Sequence, residues 1–133
     1  MFSRTVFMAG GILSALSVGL GAFGAHGLKD KIATEQLQVF ETGVRYQFFH
    51  ALALIVLGIF MDRFPSSPMR LTIQLLIAGI ILFSGSLYLL STRELLGIES
   101  WKKFLGPITP IGGLCFIAGW LSFCYTIWRN PLN

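Results

Sequence analysis

Charge is what this chain has least of: Asp, Glu, Lys and Arg make up 12% of its 133 residues, where soluble domains carry about 25%. That deficit excludes a domain folded in water. Histidine is limited to His26 and His50, and cysteine to Cys115 and Cys124. The two cysteines fall in one apolar segment, on nearly opposite faces of a helix, which excludes a disulfide between them, and no metal-ligand spacing is present. The ten Lys and Arg give a net charge of +4 but are spread over every loop, with no run longer than Lys102-Lys103, so no nucleic-acid partner is expected. A Ser-His-Asp arrangement, a metal cluster and a phosphate-cradling glycine loop are missing as well. Neither enzymatic activity nor a cofactor is expected.

What is present is apolar. Hydrophobic residues make up 54% of the chain, with a mean hydropathy of +0.73. A membrane crossing takes about 20 mostly apolar residues, so four spans with short loops use most of the length. The expected architecture is all-α: an integral membrane four-helix bundle forming a single transmembrane domain over residues 1–133, with spans over about 5–25, 44–62, 71–90 and 107–128. Met1 to Arg4 followed by an apolar stretch also resembles a signal peptide, but an uncleaved first span is expected. Between the first two spans, Ile32, Leu37, Phe40, Val44 and Phe48 fall near one face of a helix, which predicts an amphipathic interfacial helix over about 30–43. The apolar stretch Phe48 to Met61 has only 14 residues, about 21 Å of helix, so Val44 to Gln47 are expected to enter the membrane boundary. Arg45 there snorkels or pairs, and Tyr46 joins the aromatic belt.

Asp62 to Arg70, with Pro65 and Pro68, reads as a tight polar turn, and Trp101 as an interface anchor. Gly106-Pro107-Ile108-Thr109-Pro110 opens the fourth span, where prolines of a first turn cost little. Small residues mark the packing faces. Gly11, Ala15 and Gly19 recur at four-residue spacing, with Ser17, Gly21 and Ala25 on a neighbouring stripe; Gly85 lies in a small patch, and Gly112 and Gly113 are expected to admit a close neighbour such as the first helix. Lys and Arg number six in the first and third loops and four at the termini and middle loop, which favours termini outside and those two loops in the cytoplasm.

Ionisable groups at membrane depth are costly and mark candidate sites. His26 closes the first span and His50 lies about one turn into the second, so both are expected near one membrane face, where His26, Tyr46, Gln47 and His50 line a polar pocket for a lipid or quinone headgroup. The competing reading is that each histidine caps a helix or bonds a backbone carbonyl. Glu41 and Arg45 form an i,i+4 pair of the stabilising orientation. Haem ligation by the two histidines finds no other support. The Gly-Pro-Ile-Thr-Pro segment could serve an ion site in a transporter, but prolines at a span entrance are ordinary.

Four segments in order, Gly21-Ala22-Phe23-Gly24-Ala25-His26-Gly27-Leu28, Tyr46-Gln47-Phe48-Phe49-His50-Ala51-Leu52-Ala53-Leu54, Leu82-Phe83-Ser84-Gly85-Ser86-Leu87-Tyr88 and Gly106-Pro107-Ile108-Thr109-Pro110-Ile111-Gly112-Gly113, resemble one family. It is that of the YgdD-type small inner-membrane proteins, catalogued as domain of unknown function 423 and related to the mitochondrial-type transmembrane protein 256. The resemblance implies a four-span protein of the bacterial inner (plasma) membrane without an assigned activity. The functional expectation is a non-enzymatic accessory, scaffold or assembly protein that acts by helix packing, with membrane lipids and a membrane-protein partner or a second copy as its contacts. The alternatives are a lipid or quinone carrier at His26 and His50, or a minimal transporter built as a homo-oligomer.

Overall fold

The computed structural model describes residues 2–63 and 67–129. All regular structure among them is helical. Helix α1 (Phe2–Phe23) runs into a π-helical turn (Gly24–Leu28); α2 spans Thr34–Arg63; α3 (Ser67–Gly79), a second π turn (Ile80–Ser84) and α4 (Gly85–Thr92) form one continuous rod; a short 3-10 turn (Glu99–Trp101) leads into α5 (Lys102–Arg129). Four of these stretches, Ser3–Leu28, Thr34–Met61, Pro68–Thr92 and Glu99–Arg129, are long and apolar enough to cross a membrane. The part of the expected turn at Phe64-Pro65-Ser66 lies outside the described residues, while Pro68 sits in the first turn of α3, where its missing amide hydrogen has no helical partner to lose.

Two expectations about helix ends are corrected. No separate interfacial helix covers residues 30–43: residues 29–33 turn, and α2 then runs unbroken for 30 residues. Gly43 does not break it, because that glycine is buried against Leu87 and the Tyr88 ring and its missing side chain is what the contact requires. At about 1.5 Å per residue α2 reaches about 45 Å, so its first turns stand beyond a hydrocarbon layer about 30 Å thick. Likewise α5 starts at Lys102, which places Pro107 and Pro110 inside the helix rather than in its first turn. The ring of Pro110 faces the carbonyl of Gly106, a residue with open space around it, and a glycine there accommodates the local distortion that a proline imposes.

The buried positions follow a 3.5-residue period. On α2 they are Phe40, Gly43, Gln47, His50, Ala51, Leu54, Leu57, Gly58 and Met61, a series of three- and four-residue steps in which His50-Ala51 and Leu57-Gly58 are adjacent pairs. On α5 Leu105, Gly112, Gly119 and Thr126 are buried at every seventh position. On α1 the seam toward α2 carries Gly10, Ser17 and Gly24, again seven apart. Such a period is that of left-handed packing at about +20°. The third rod keeps the pattern through Met69, Ile73, Leu76 and Ile80, then takes an extra step to Ser84 before Leu87 and Ser91; the π turn absorbs the inserted residue. The loop after α4 closes on Gly97 at φ +66°, a left-handed position that favours glycine, while Arg93 donates to the Leu90 carbonyl at 2.6 Å.

The helices are not equivalent. α1 packs on α2, α2 also on α3 and α4, and α5 on the α3–α4 rod, so α1 lies at one side of the assembly. Only 17% of the first span is buried against 39% of the second. The apolar core joins Leu54, Leu57 and Met61 of α2 to Met69, Ile73, Leu76 and Ile80 of the third rod, closed by Val6 and Phe116. Charge separates by end. By helix direction, positions 4, 62, 63, 70 and 129 fall at the end where α1 starts and α5 stops, and the other charged positions among the described residues fall in the opposite half.

Candidate functional site

Hydroxyl groups in the seams are mostly satisfied within their own helix: Ser17 donates to the Leu13 carbonyl, Thr72 to Pro68, Thr92 to Tyr88 and Thr126 to Ser122. A membrane interior offers no water, so this local bonding is what makes such residues tolerable there. The bonds that cross between helices are fewer and define the polar centre. The Gln47 side-chain amide donates to the Leu13 carbonyl of α1 at 2.9 Å, and its carbonyl accepts the Tyr88 hydroxyl of α4 at 2.8 Å. One side chain thus ties three spans. Beside it, Tyr88 packs on Phe40 with ring centroids 5.0 Å apart. Farther along, the hydroxyls of Ser86 and Thr109 meet at 2.7 Å, and Ser122 donates to the Pro68 carbonyl at 3.0 Å, so α5 is pinned to the third rod at two levels.

His50, one turn beyond Gln47 and about 60° round the helix, faces α5 instead of α1 and α4. Its Nδ1 lies 2.7 Å from the Tyr46 carbonyl, and its Nε2 accepts the Trp120 indole N–H at 3.2 Å. The two partners assign the tautomer: Nδ1 carries the hydrogen and donates to the carbonyl, leaving Nε2 as acceptor. The ring also stacks on Phe116 with centroids 3.6 Å apart. Nitrogen-15 NMR of labelled protein should therefore show a protonated Nδ1 and an unprotonated Nε2, with Trp120→Phe shifting the Nε2 resonance; the reverse tautomer in the unsubstituted protein would contradict this assignment.

Of the four expected pocket residues the structure brings Tyr46 and His50 together in one groove, which Gln47 does not line. Gln47 and His50 are buried, and Tyr46 is half-exposed, its ring 4.6 Å from that of Phe83. Tyr46 is therefore packed across to the third rod. His26 is not with them. The Gln47 bond to Leu13 sets the register of α1 against α2, and His26 lies thirteen residues farther along α1, so it stands roughly 15–20 Å away along the axis, exposed, at the far end from the expected pocket. The expected neighbourhood of the two histidines fails because α2 begins at Thr34, ten residues earlier than the span expected for it. Sequence reasoning missed Tyr88, Phe116 and Trp120, whose roles depend on inter-helix register; no local pattern marks them.

The expected packing residues divide. Gly112 is buried so closely on the third rod that a Cβ there would fall on the backbone nitrogen of Phe83, and Gly113 faces the same ring at 3.8 Å. Their neighbour is the third rod, not the first helix. A Cβ at Gly21 would meet Val44 at 3.5 Å, an ordinary contact. Gly11, Gly19 and Gly85 have nothing within 4 Å, and Ala15 is exposed. The stripe Gly11-Ala15-Gly19 therefore does not hold this bundle together. The seam residues Gly10, Ser17 and Gly24 do, one register away.

Two grooves open sideways toward lipid. One of about 400 Å³ is walled by Tyr46, His50, Phe83, Phe116 and Trp120; the other, of about 420 Å³, lies between α1 and α2 and holds Glu41 and Arg45 at its rim. No ion pair joins Glu41 to Arg45, contrary to the expectation for this i,i+4 pair.

A family model described as "Protein of unknown function (DUF423)" matches residues 20–113. The chain belongs to this family. It is 44% identical to UPF0382 membrane protein YwdK of Bacillus subtilis strain 168 over 89% of its own length and 91% of that protein, and 44% identical to UPF0382 membrane protein SH2409 of Staphylococcus haemolyticus over 95% and 97%. UPF0382 membrane protein SAB0533 of Staphylococcus aureus is also 44% identical, over 89% and 90%. No solved structure shows a significant match. With four apolar spans and relatives named as membrane proteins, the chain is a multi-pass membrane protein, and the bacterial origin of those relatives fits a plasma-membrane location. The family description assigns no biochemical role.

Proposed function

We propose that this protein is a non-enzymatic assembly component of the membrane that works through the outer face of α1. The observation that carries this reading is the placement of Gly11, Ala15 and Gly19. At 100° per residue they lie opposite the Gly10-Ser17-Gly24 seam, with open space at both glycines where a side chain would begin and Ala15 exposed, on the least buried span of the four. Small residues in lipid favour helix association because backbones approach closely and gain dispersion contacts. The occupant is a second copy of the chain. Copies insert with one topology, so a two-fold axis along the membrane normal sets the same stripe face to face. The saturation of His50 and Gln47 by neighbours within the bundle supports a structural duty for the buried polar groups.

The reading is tested by cross-linking Ala15→Cys in native membranes, in a background where Cys115 and Cys124 are serine, together with native mass spectrometry in retained lipids. A dimer is expected, and Gly11→Leu with Gly19→Leu should convert it to a folded monomer. A monomer from the start, or an oligomer indifferent to both substitutions, would sink the proposal. A different protein held in fixed ratio and lost on the same substitutions would retain the assembly role and overturn the second copy as occupant.

A quinone or other flat amphipathic molecule in the aromatic groove beside His50 is the second reading, favoured by the walls of Tyr46, Phe83, Phe116 and Trp120. Its occupant would meet an imidazole whose two nitrogens are already engaged.

A further inference from the structure

The groove between α1 and α2 combines three properties that the packing of the bundle does not use. Its floor is formed by Ser17, whose hydroxyl is engaged by the Leu13 carbonyl, with Gly21 and Val44, and its volume of about 420 Å³ falls within the usual range for sites that hold an organic molecule. Its rim carries one anion and one cation, Glu41 and Arg45. Both side chains are exposed, and neither makes an ion pair or hydrogen bond among the described residues.

Depth orders these charges. Counted from Asp62 at the far end of α2, Arg45 stands about 25 Å along the axis and Glu41 about 31 Å, against a hydrocarbon thickness of about 30 Å. Arg45 therefore lies just inside the boundary and Glu41 at it. Helical side chains lean toward the helix N-terminus, which for α2 is the headgroup side, so Arg45 reaches outward over its own groove. A zwitterionic phospholipid has the matching order, with phosphate next to the glycerol and acyl chains and ammonium farther out.

We infer that this groove binds one phosphatidylethanolamine molecule, with its phosphate on Arg45, its ammonium on Glu41, the headgroup across the Ser17-Gly21 floor and an acyl chain running inward past Phe48. Guanidinium suits phosphate because it donates in a planar fork. The primary ammonium is chosen over choline on chemistry. It donates hydrogen bonds that an exposed carboxylate accepts, whereas quaternary ammonium is recognised by aromatic cages, and Phe48 is the sole aromatic among the residues lining this groove. An anionic headgroup such as phosphatidylglycerol would satisfy Arg45 and be repelled by Glu41. On α1 the groove is walled by Ser17, Val18, Gly21 and Ala22, none of them a residue of the Gly11-Ala15-Gly19 stripe, and lipid retention is read per chain.

The test is native mass spectrometry of the full chain released from nanodiscs holding equal parts phosphatidylethanolamine, phosphatidylcholine and phosphatidylglycerol. One tightly held phosphatidylethanolamine per chain is expected. Glu41→Gln should reduce its preference over phosphatidylcholine by about 3–10-fold, and Arg45→Gln should reduce retention of all three lipids by a similar factor. Both residues are exposed, so the fold should survive, which helix content by circular dichroism checks. The exchanged variant carrying Glu41→Arg and Arg45→Glu keeps net charge and composition but inverts the order, and should lose the preference. Equal retention of the three lipids by the unsubstituted chain, or an unchanged preference in the exchanged variant, would overturn the site.

Discussion

Gly112→Ala is expected to destabilise the bundle by about 2–3 kcal/mol, the cost of overpacking a tight contact, although it adds a single methyl group. The methyl would land on the backbone nitrogen of Phe83 and 2.8 Å from its Cα. Backbone cannot rotate aside, so α5 must move as a unit away from the third rod, and the Ser86–Thr109 hydrogen bond at 2.7 Å lies one turn away along the same interface. Gly119→Ala should cost less, about 1 kcal/mol, because the intruding atom there is the Leu76 side-chain end at 2.8 Å, which can change rotamer. Gly11→Ala, with nothing within 4 Å, should fall within about 0.5 kcal/mol of the unsubstituted protein. Reversible unfolding in mixed detergent micelles would rank the three. Equal effects at Gly112 and Gly11 would mean that α5 does not approach the third rod as closely as the structure shows.

That ranking also explains how far sequence reading reaches in a chain of this kind. Span number and helical class were legible because lipid imposes a composition that no soluble domain shares. The packing faces were not legible, because hydrophobicity has no contrast: Ile12, Leu16 and Val18 face outward on α1 as readily as Val6 and Leu13 face inward. The usable contrast is size and polarity, and it recurs every seven residues at Gly10, Ser17 and Gly24 and at Leu105, Gly112, Gly119 and Thr126. Gly10 and Gly11 are adjacent, and choosing one over the other rotates the face by 100°. Four-residue spacing selected Gly11-Ala15-Gly19, which the monomer leaves exposed.

The candidate site shows the same division. Gln47 and His50 stand out in any reading because polar groups at membrane depth are rare, and both prove buried. Their partners depend on relative helix offset. A second span beginning near Val44 sets His50 beside His26; α2 begins at Thr34, and the added turns carry His50 down toward the middle of the bundle. The same offset brings Glu41 and Arg45 into the groove beside Gly21 and Ala22, where an i,i+4 pairing rule taken from isolated helices does not describe what they do.

Gln47→Leu should cost about 1–3 kcal/mol, and the sign of its coupling to Tyr88 is the informative part. Leucine removes the acceptor of the Tyr88 hydroxyl and leaves that donor beside Phe40 without a partner, a penalty of about 1–3 kcal/mol for a buried polar group. The Leu13 carbonyl suffers less because Ser17 still donates to it at 3.0 Å. Tyr88→Phe alone should cost about 1 kcal/mol, since the Gln47 carbonyl is then the unpaired group. In the double variant neither orphan exists, so it should be more stable than the sum of the single losses predicts, by an interaction of about 0.5–2 kcal/mol, where membrane cycles average about 0.6 kcal/mol. Both single variants and the double variant can be unfolded in the same micelles to close the cycle. Strict additivity would mean that the 2.8 Å contact contributes nothing specific and that Gln47 holds α1 through Leu13 alone. Positive coupling would identify Gln47 as the one side chain that joins α1, α2 and α4.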